Sequence, residues 1–407
     1  MWLRRILALG LISSAPVLLA AALPPVEPMP KLDAATLIPP ELLKGADYTV
    51  DANVPVIGYM GQFTLRAPSG VFSADGTEML AIRIGELSAI ARLGQLSQSG
   101  VFAEALAASA KKTGAAIGQA VMNPVDTVAG IPAGAGRFFQ STTKSISRAT
   151  ESGGSKSSQG ANSSDKAKDL LGANEAKRRL AKQVGADPYT TNPVLAKQLD
   201  DLARAAFAGG VSLDVVLGVS TAGVATAIST TATVSNLVWD KSPEDIRTIN
   251  EKKLAAMGVG ADTVRAFVTN RWFTPTLSFA FVDHLAQLPA AKGRAAVVAL
   301  AGSVASESEA RFLLNAVAMA RQIGTERDPV VAIDLARRIM VVHTRGGRVE
   351  VPAPVDYVVW TEPVRAFAER KDSQGAKRNL LVTGVASARA REGLLAAGWA
   401  IQEHSKR

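Results

Sequence analysis

The stretch Ser242-Pro243-Glu244-Asp245-Ile246-Arg247 is written as the start of a helix. The serine hydroxyl can take a free backbone N–H, proline suits the first helical position, and an acid three residues after the serine can reach back to the serine's own N–H. The same device recurs on both sides of it. Asn192 precedes Pro193, Thr274 precedes Pro275, and Ser306 stands three residues before Glu309, while Gly258 and Gly324 offer matching stops. Residues 175–324 are therefore expected to form an all-helical domain.

On the N-terminal side the pattern changes. Residues 140–174 are rich in Ser, Gly, Lys and Asn and poor in large apolar side chains, so they are expected to be a flexible linker that buries too little to offset its ordering entropy. Ahead of it, Val54, Val56, Tyr59, Phe63, Leu65 and Val71 sit among Gly and Pro as short strands. Leu80, Ile84, Leu87 and Leu93 then take helical spacing to about Gln95, and a second helix is predicted over 101–122. Residues 23–139 make an N-terminal α+β domain on this reading. On the C-terminal side, residues 340–344 and 349–351 flank Arg345-Gly346-Gly347-Arg348 as a hairpin, and residues 357–360 continue the strand composition. Helix over 362–371, strand over 380–383, helix over 387–397 capped by Ser387 and stopped by Gly398, and strand over 399–402 predict a βαβ crossover within an α+β domain at 325–407. The fold class expected is α+β multidomain and mainly helical, a helical centre with small α+β domains at either end.

The segment Asp187-Pro188-Tyr189-Thr190-Thr191-Asn192-Pro193-Val194-Leu195, and Ser242 to Arg247 with Asn250, resemble segments of uncharacterised exported bacterial proteins of unknown function. The resemblance implies a bacterial envelope and brings no activity, cofactor or site residue with it.

Export is also what the first residues predict. Arg4 and Arg5, an apolar run over 6–19 and Ala20-Ala21-Ala22 have the three-part form of a signal peptide, so 1–22 are expected to be a leader and the mature chain to start near Leu23. There is no cysteine among the 407 residues, which removes disulfides, thiol chemistry and a lipoprotein anchor together. The formal net charge of +9 falls to +7 without the leader's two arginines, a surplus suited to anionic lipid or acidic envelope polymers. With aromatics at 5% and no basic cluster interleaved with them, no base-stacking platform is visible and nucleic acid is not an expected partner.

The candidates for chemistry are few. Gly218-Val219-Ser220-Thr221-Ala222-Gly223 resembles the nucleophile elbow of patatin-like and α/β-hydrolase enzymes, with Ser220 as nucleophile, but Ala222 stands where the second glycine belongs and the flanks read as helix. A base for it would come from His284, His343 or His404. His284 shares a helical face with Leu277, Phe281, Leu285 and Leu288, the pattern of a packed histidine, and none of the three has metal-ligand spacing, so no metal site is expected. Gly134-Ala135-Gly136-Arg137 and Gly258-Val259-Gly260 lack the rest of a phosphate loop, and no cofactor is expected. Glu307 and Glu309 lie two apart, hence on different helix faces, and are assigned to capping and solvent.

Two stretches carry few or no charges. Residues 215–239 have none and as a helix are long enough to cross a hydrocarbon core of about 30 Å, although eight Ser/Thr residues make a poor insertion sequence and a buried central helix is the competing reading. Residues 114–139 repeat glycine at four-residue spacing, Gly114 with Gly118 and Gly130 with Gly134, which suits close helix pairing against protein or lipid. The function expected is that of a periplasmic or secreted envelope protein, peripheral to a membrane in one version, that meets an envelope protein or an anionic membrane surface without catalysis. The alternatives are a serine hydrolase using Ser220 and His284, and a membrane-inserting protein acting through 215–239.

Overall fold

The computed structural model describes residues 23–100, 104, 160–209, 232–288, 291–326, 328–370 and 376–406. The expected leader, the helix over 101–122, the paired glycines of 114–139, the Ser220 elbow and the first part of 215–239 lie outside these residues. Among the described residues the protein is mixed α+β with helix the larger part: thirteen helices and twelve strands.

Strands β1 (Lys31–Asp33), β2 (Thr49–Val50), β3 (Asn53–Ile57), β4 (Met60–Ala67) and β5 (Gly70–Asp75) form an antiparallel sheet, with two single-turn helices, α1 (Ala34–Leu37) and α2 (Pro40–Leu43), after β1. Side chains alternate along β4, so that Phe63 and Leu65 point inward. They meet α3 (Thr77–Ser97), which extends the predicted helix by two residues. They also share a core with α4 (Gly160–Val184) and α5 (Pro193–Gly209) through Leu80, Leu93, Leu180, Leu195 and Leu199.

Residues 160–174, expected as linker, are thus the first part of a 25-residue helix. The Ala, Lys and Leu residues of this stretch favour helix, and Leu180, Ala181 and Val184 further along α4 anchor it in the core. α4 and α5 are an antiparallel hairpin, pinned by Lys177 to Asp200 at 2.8 Å and by Phe207 lying across Gly172. α3 packs on α5, and Arg83 in its first half touches Thr191 just ahead of α5. The C-terminal end of α5 lies beside the middle of α4, where Phe207 meets Gly172.

The second core is built by α6 (Ala232–Asp240), α7 (Pro243–Ala256), α8 (Ala261–Val268), α9 (Pro275–Ala286), α10 (Arg294–Gly302) and α11 (Glu307–Glu326). At its centre Phe267, Phe273 and Phe281 meet in edge-on and tilted pairs with ring centroids 4.9 to 5.2 Å apart. The predicted caps are formed: Asn192 takes Val194 N at 3.1 Å, Ser242 and Asp245 make the reciprocal pair, and Thr274 takes Leu277 N at 3.3 Å. Gly258 stops α7 with φ of 78°. Gly324 does not stop α11, which continues to Glu326 before the chain leaves for the sheet.

The third unit contains β6 (Val330–Ala336), β7 (Ile339–Thr344), β8 (Arg348–Ala353), β9 (Tyr357–Val358), α12 (Glu362–Ala368), β10 (Lys377–Val382), β11 (Val385–Ala386), α13 (Ala388–Ala396) and β12 (Trp399–Gln402). Its main sheet has the order β12-β10-β8-β7-β6: an antiparallel meander of β6, β7 and β8 continued by β10 and β12, each parallel to its neighbour. The expected crossover is the step from β10 through α13 to β12, with a second from β8 through α12 to β10. β6 went unpredicted, and the strand expected over 357–360 is only two residues long because Trp360 turns into the core. One face of this sheet, with Met340, Val342 and Leu381, joins the helical core; the other, with Val349, Val351 and Leu380, packs with Trp360 and Trp399.

The first and third units are also joined directly. Asp356 accepts from Gly61 N at 2.9 Å, from Thr77 N and from the Thr77 hydroxyl at 2.8 Å. Tyr59, held at φ of 69°, receives Asp356 N and Tyr357 N on its carbonyl, and its hydroxyl meets Thr361 Oγ1 at 2.7 Å. Residues 24–27 form a strap on the third unit: Trp360 Nε1 donates to Pro24 O, Trp360 N to Glu27 Oε1, Glu27 N to Trp360 O, and the Ser387 hydroxyl to Glu27 Oε1.

Candidate functional site

The greatest concentration of charge inside the described residues lies where α3, the 185–192 loop, α9 and α11 meet. α3 brings its apolar face to the core, and that face also carries Glu78, Arg83 and Glu86, all buried. A charge in such a place needs partners, since isolated burial costs several kcal/mol. Arg83 donates to Glu86 Oε2 at 2.8 Å and to Thr191 Oγ1 at 2.9 Å. Glu86 is further held by Asn192 Nδ2 at 2.9 Å and by the Thr190 hydroxyl. Thr191 hands its own proton to Glu307 Oε1 at 3.0 Å, the same oxygen that receives Arg311 Nε at 2.9 Å. Arg311 lies 3.8 Å from Glu78, whose other oxygen is bonded by Asn315 Nδ2. The Glu78 and Glu307 carboxylates hold the Arg311 guanidinium above its ordinary range against the opposing effect of burial.

The loop owes its shape to the polar run before Pro193. Thr190 Oγ1 takes Asn192 N at 3.0 Å while Asn192 Oδ1 caps α5, so the chain turns sharply with its hydroxyls facing α3 and α11. Asp187 starts the turn. Its Oδ1 accepts Tyr189 N at 2.8 Å and the Thr276 hydroxyl of α9 at 2.8 Å. Burial pushes its carboxyl up to about 6; the two hydrogen bonds and Arg311 oppose that rise and Glu86 adds to it. Chemically this junction can hold charge away from water, and it binds four stretches of chain together: α3, the 185–192 loop, α9 and α11.

Glu307 is thus a correction to the sequence reading: it turns inward to Thr191 and Arg311. Glu309 does serve the helix start, accepting Ala305 N at 3.0 Å and pairing with Arg338 at 2.8 Å. Glu78, Arg83, Arg311 and Asn315 were not singled out from sequence. The signal that marks them is charged residues placed on the apolar face of α3 and α11, which resembles ordinary amphipathic noise when no partner is in view.

His284 sits on α9 among the expected Leu277, Phe281, Leu285 and Leu288, which are all buried. Burial first, then the Arg321 guanidinium, hold its imidazole below the usual histidine range, with Asp283 opposing. No hydrogen-bond partner among the described residues meets its Nδ1. Ser220 lies outside the described residues. His343 pairs with Asp334 at 2.9 Å on the β6–β7 hairpin, and His404 is exposed with φ of 51°.

Gly258-Val259-Gly260 forms the turn between α7 and α8. Beside it an open depression of about 340 Å³ has Val259 and Val264 in its lining and Arg247, Glu251 and Arg265 around them. No group of three or more potential metal-ligating side chains occurs among the described residues, and none of their helices is long and apolar enough to cross a membrane. Comparison with protein-family models, with curated proteins and with solved structures finds no match to the chain.

Proposed function

We propose that the protein is exported to the bacterial envelope or beyond and acts by contact, through a helical centre set between two smaller α+β units, with another envelope protein or an anionic membrane surface. One observation supports this reading: the exposed apolar side chains Leu171 of α4 and Phe207 of α5 lie near one another on the α4–α5 hairpin, where Phe207 crosses Gly172. In the sequence that follows α5, residues 210–231, Asp214 is the single charged residue. Exposed apolar surface next to a sequence so poor in charge is suited to meeting another molecule. A single insertion through 215–239 is a less favoured version, because Val234 and Val238 of α6 are fully buried in the helical core and Trp239 donates to Ala186 O at 2.8 Å.

The test is crosslinking in intact cells, followed by recovery from solubilised envelope and flotation with phosphatidylglycerol vesicles. A specific crosslinked partner, or flotation abolished by salt, is expected; a soluble pool indifferent to salt that captures nothing would overturn the reading. A fluorophosphonate probe whose labelling disappears in Ser220→Ala would replace it with a hydrolase.

A further inference from the structure

Residues 23–30 read Leu-Pro-Pro-Val-Glu-Pro-Met-Pro, with prolines at 24, 25, 28 and 30. Each proline fixes its own φ at about −65° and biases the residue before it to extended backbone, so every residue here except Val26 favours the polyproline II helix. That helix turns once in about three residues, and burial along the segment keeps the same period. Pro24 is buried and Glu27 and Pro30 are half-buried, while Pro25, Val26, Pro28 and Met29 are exposed. The contacts fall on the same three positions. Pro24 O accepts Trp360 Nε1 at 2.9 Å, the Glu27 carboxylate accepts Trp360 N at 2.9 Å and the Ser387 hydroxyl, and Pro30 O accepts Val56 N at 3.0 Å. Glu27 N donates in return to Trp360 O at 2.9 Å.

The third unit holds its side of this contact rigidly. Trp360 is fully buried, and Gly393 of α13 lies so close to its ring that a Cβ there would fall 2.5 Å from Trp360 Cε2. Ser387 Oγ accepts Ala390 N at 3.0 Å, which leaves the hydroxyl hydrogen for Glu27. Without the strap, the indole N–H, Trp360 N and this hydroxyl lose their acceptors, so the surface favours a segment that returns a carbonyl and a carboxylate at the same spacing. A polyproline II segment does so at little cost in ordering entropy. We propose that this face of the third unit is a recognition site for proline-rich segments of the form Pro-x-x-Glu, and that residues 24–27 fill it in cis as a resident ligand which a segment of the same form on another protein replaces. Such a site works wherever the protein acts, so it stands apart from the envelope reading.

The probe is the free peptide Leu-Pro-Pro-Val-Glu-Pro-Met-Pro, and the protein is the full chain. With a fluorophore on the peptide, saturable binding to Glu27→Gln, whose own strap is weakened, is expected to be about tenfold tighter than to the wild type. Exchanging the peptide's glutamate for glutamine is expected to lose about tenfold. The chain has no cysteine, so Val26→Cys, at a residue 42% exposed, takes a single dye that reports on the docked strap without weakening it. Peptide at about 10 mM, above the effective concentration that a short tether supplies, is expected to free the strap and lower the dye's anisotropy. This second arm decides alone if Glu27→Gln loses its native near-ultraviolet circular dichroism. Absence of saturable binding to folded Glu27→Gln, equal affinity for wild type and Glu27→Gln, or an equal response to a peptide of scrambled order would overturn the proposal, as would a dye signal that the peptide leaves unmoved.

Discussion

Single polar side chains hold distant parts of this chain together, and Asp356 is the clearest case. It receives two backbone N–H groups and one hydroxyl from residues 279 and 295 positions away. Asp356→Ala leaves those donors buried and unmet, so a loss of about 3 kcal/mol is expected, read from the urea midpoint at constant slope. Asn270 does the same work within the helical core, its Nδ2 directed at the carbonyls of Ala301, Gly302 and Val304 at 3.0 to 3.3 Å. These carbonyls close the C-terminal end of α10, and Asn270→Ala is expected to cost about 2 kcal/mol in the same measurement. Residues of this kind are hard to see in a sequence. The caps at Asn192, Ser242, Thr274 and Ser387 were legible because donor and acceptor stand two or three positions apart. Asp356, Arg83 and Arg311 look like any charge on a solvated surface until the fold brings partners from a hundred or more residues away.

At the scale of elements, local signals governed what could be anticipated. Helices α7, α9 and α13 start at their capping residues, and the Arg345-Gly346-Gly347-Arg348 turn joins β7 to β8. Removing the hydroxyl in Ser242→Ala should cost about 1 kcal/mol of stability, visible as a lower midpoint in thermal or urea unfolding followed by circular dichroism. β6 was missed because the Arg337-Arg338 turn that joins it to β7 has no Gly, Asn or Asp; it is fixed instead by pairing with β7 and by the short ladder in which Lys292 N meets Val331 O and Ile333 N meets Lys292 O. Gly293 permits that ladder. Its φ is 88°, and a Cβ there would fall 2.0 Å from Ile333 O. Gly293→Ala is expected to cost more than about 3 kcal/mol, enough to lower the soluble yield sharply, and recovery of a normally stable Ala variant would contradict this account of the close approach. α4 shows the opposite error: a composition poor in large apolar residues concealed the start of a helix that Leu180, Ala181 and Val184 anchor in the core.

At the scale of the whole molecule, the described residues form three cores that share their boundaries. Trp239 packs against both the first and the second, Met340 and Val342 bring the third unit's sheet into the second, and Asp356 ties the third unit to the first. Units joined on every side should unfold together, so probes in different units, such as Trp239 and Trp360, are expected to report one urea midpoint; two separated midpoints would mean that the shared boundaries contribute little. Mixed α+β class was legible from periodicity and turns, whereas the junction that joins the cores was not, since it depends on which helix faces which. The strap of residues 24–27 adds an order in time. Its anchors, Trp360 and Ser387, are made more than 300 residues after it. Closing so long a loop is slow, so during synthesis residues 24–27 wait without their anchors until nearly all of the chain has been made. Premature termination anywhere before Trp360 would therefore release a polypeptide in which that segment dangles, a mark by which a degradative system could tell the incomplete product from the finished one.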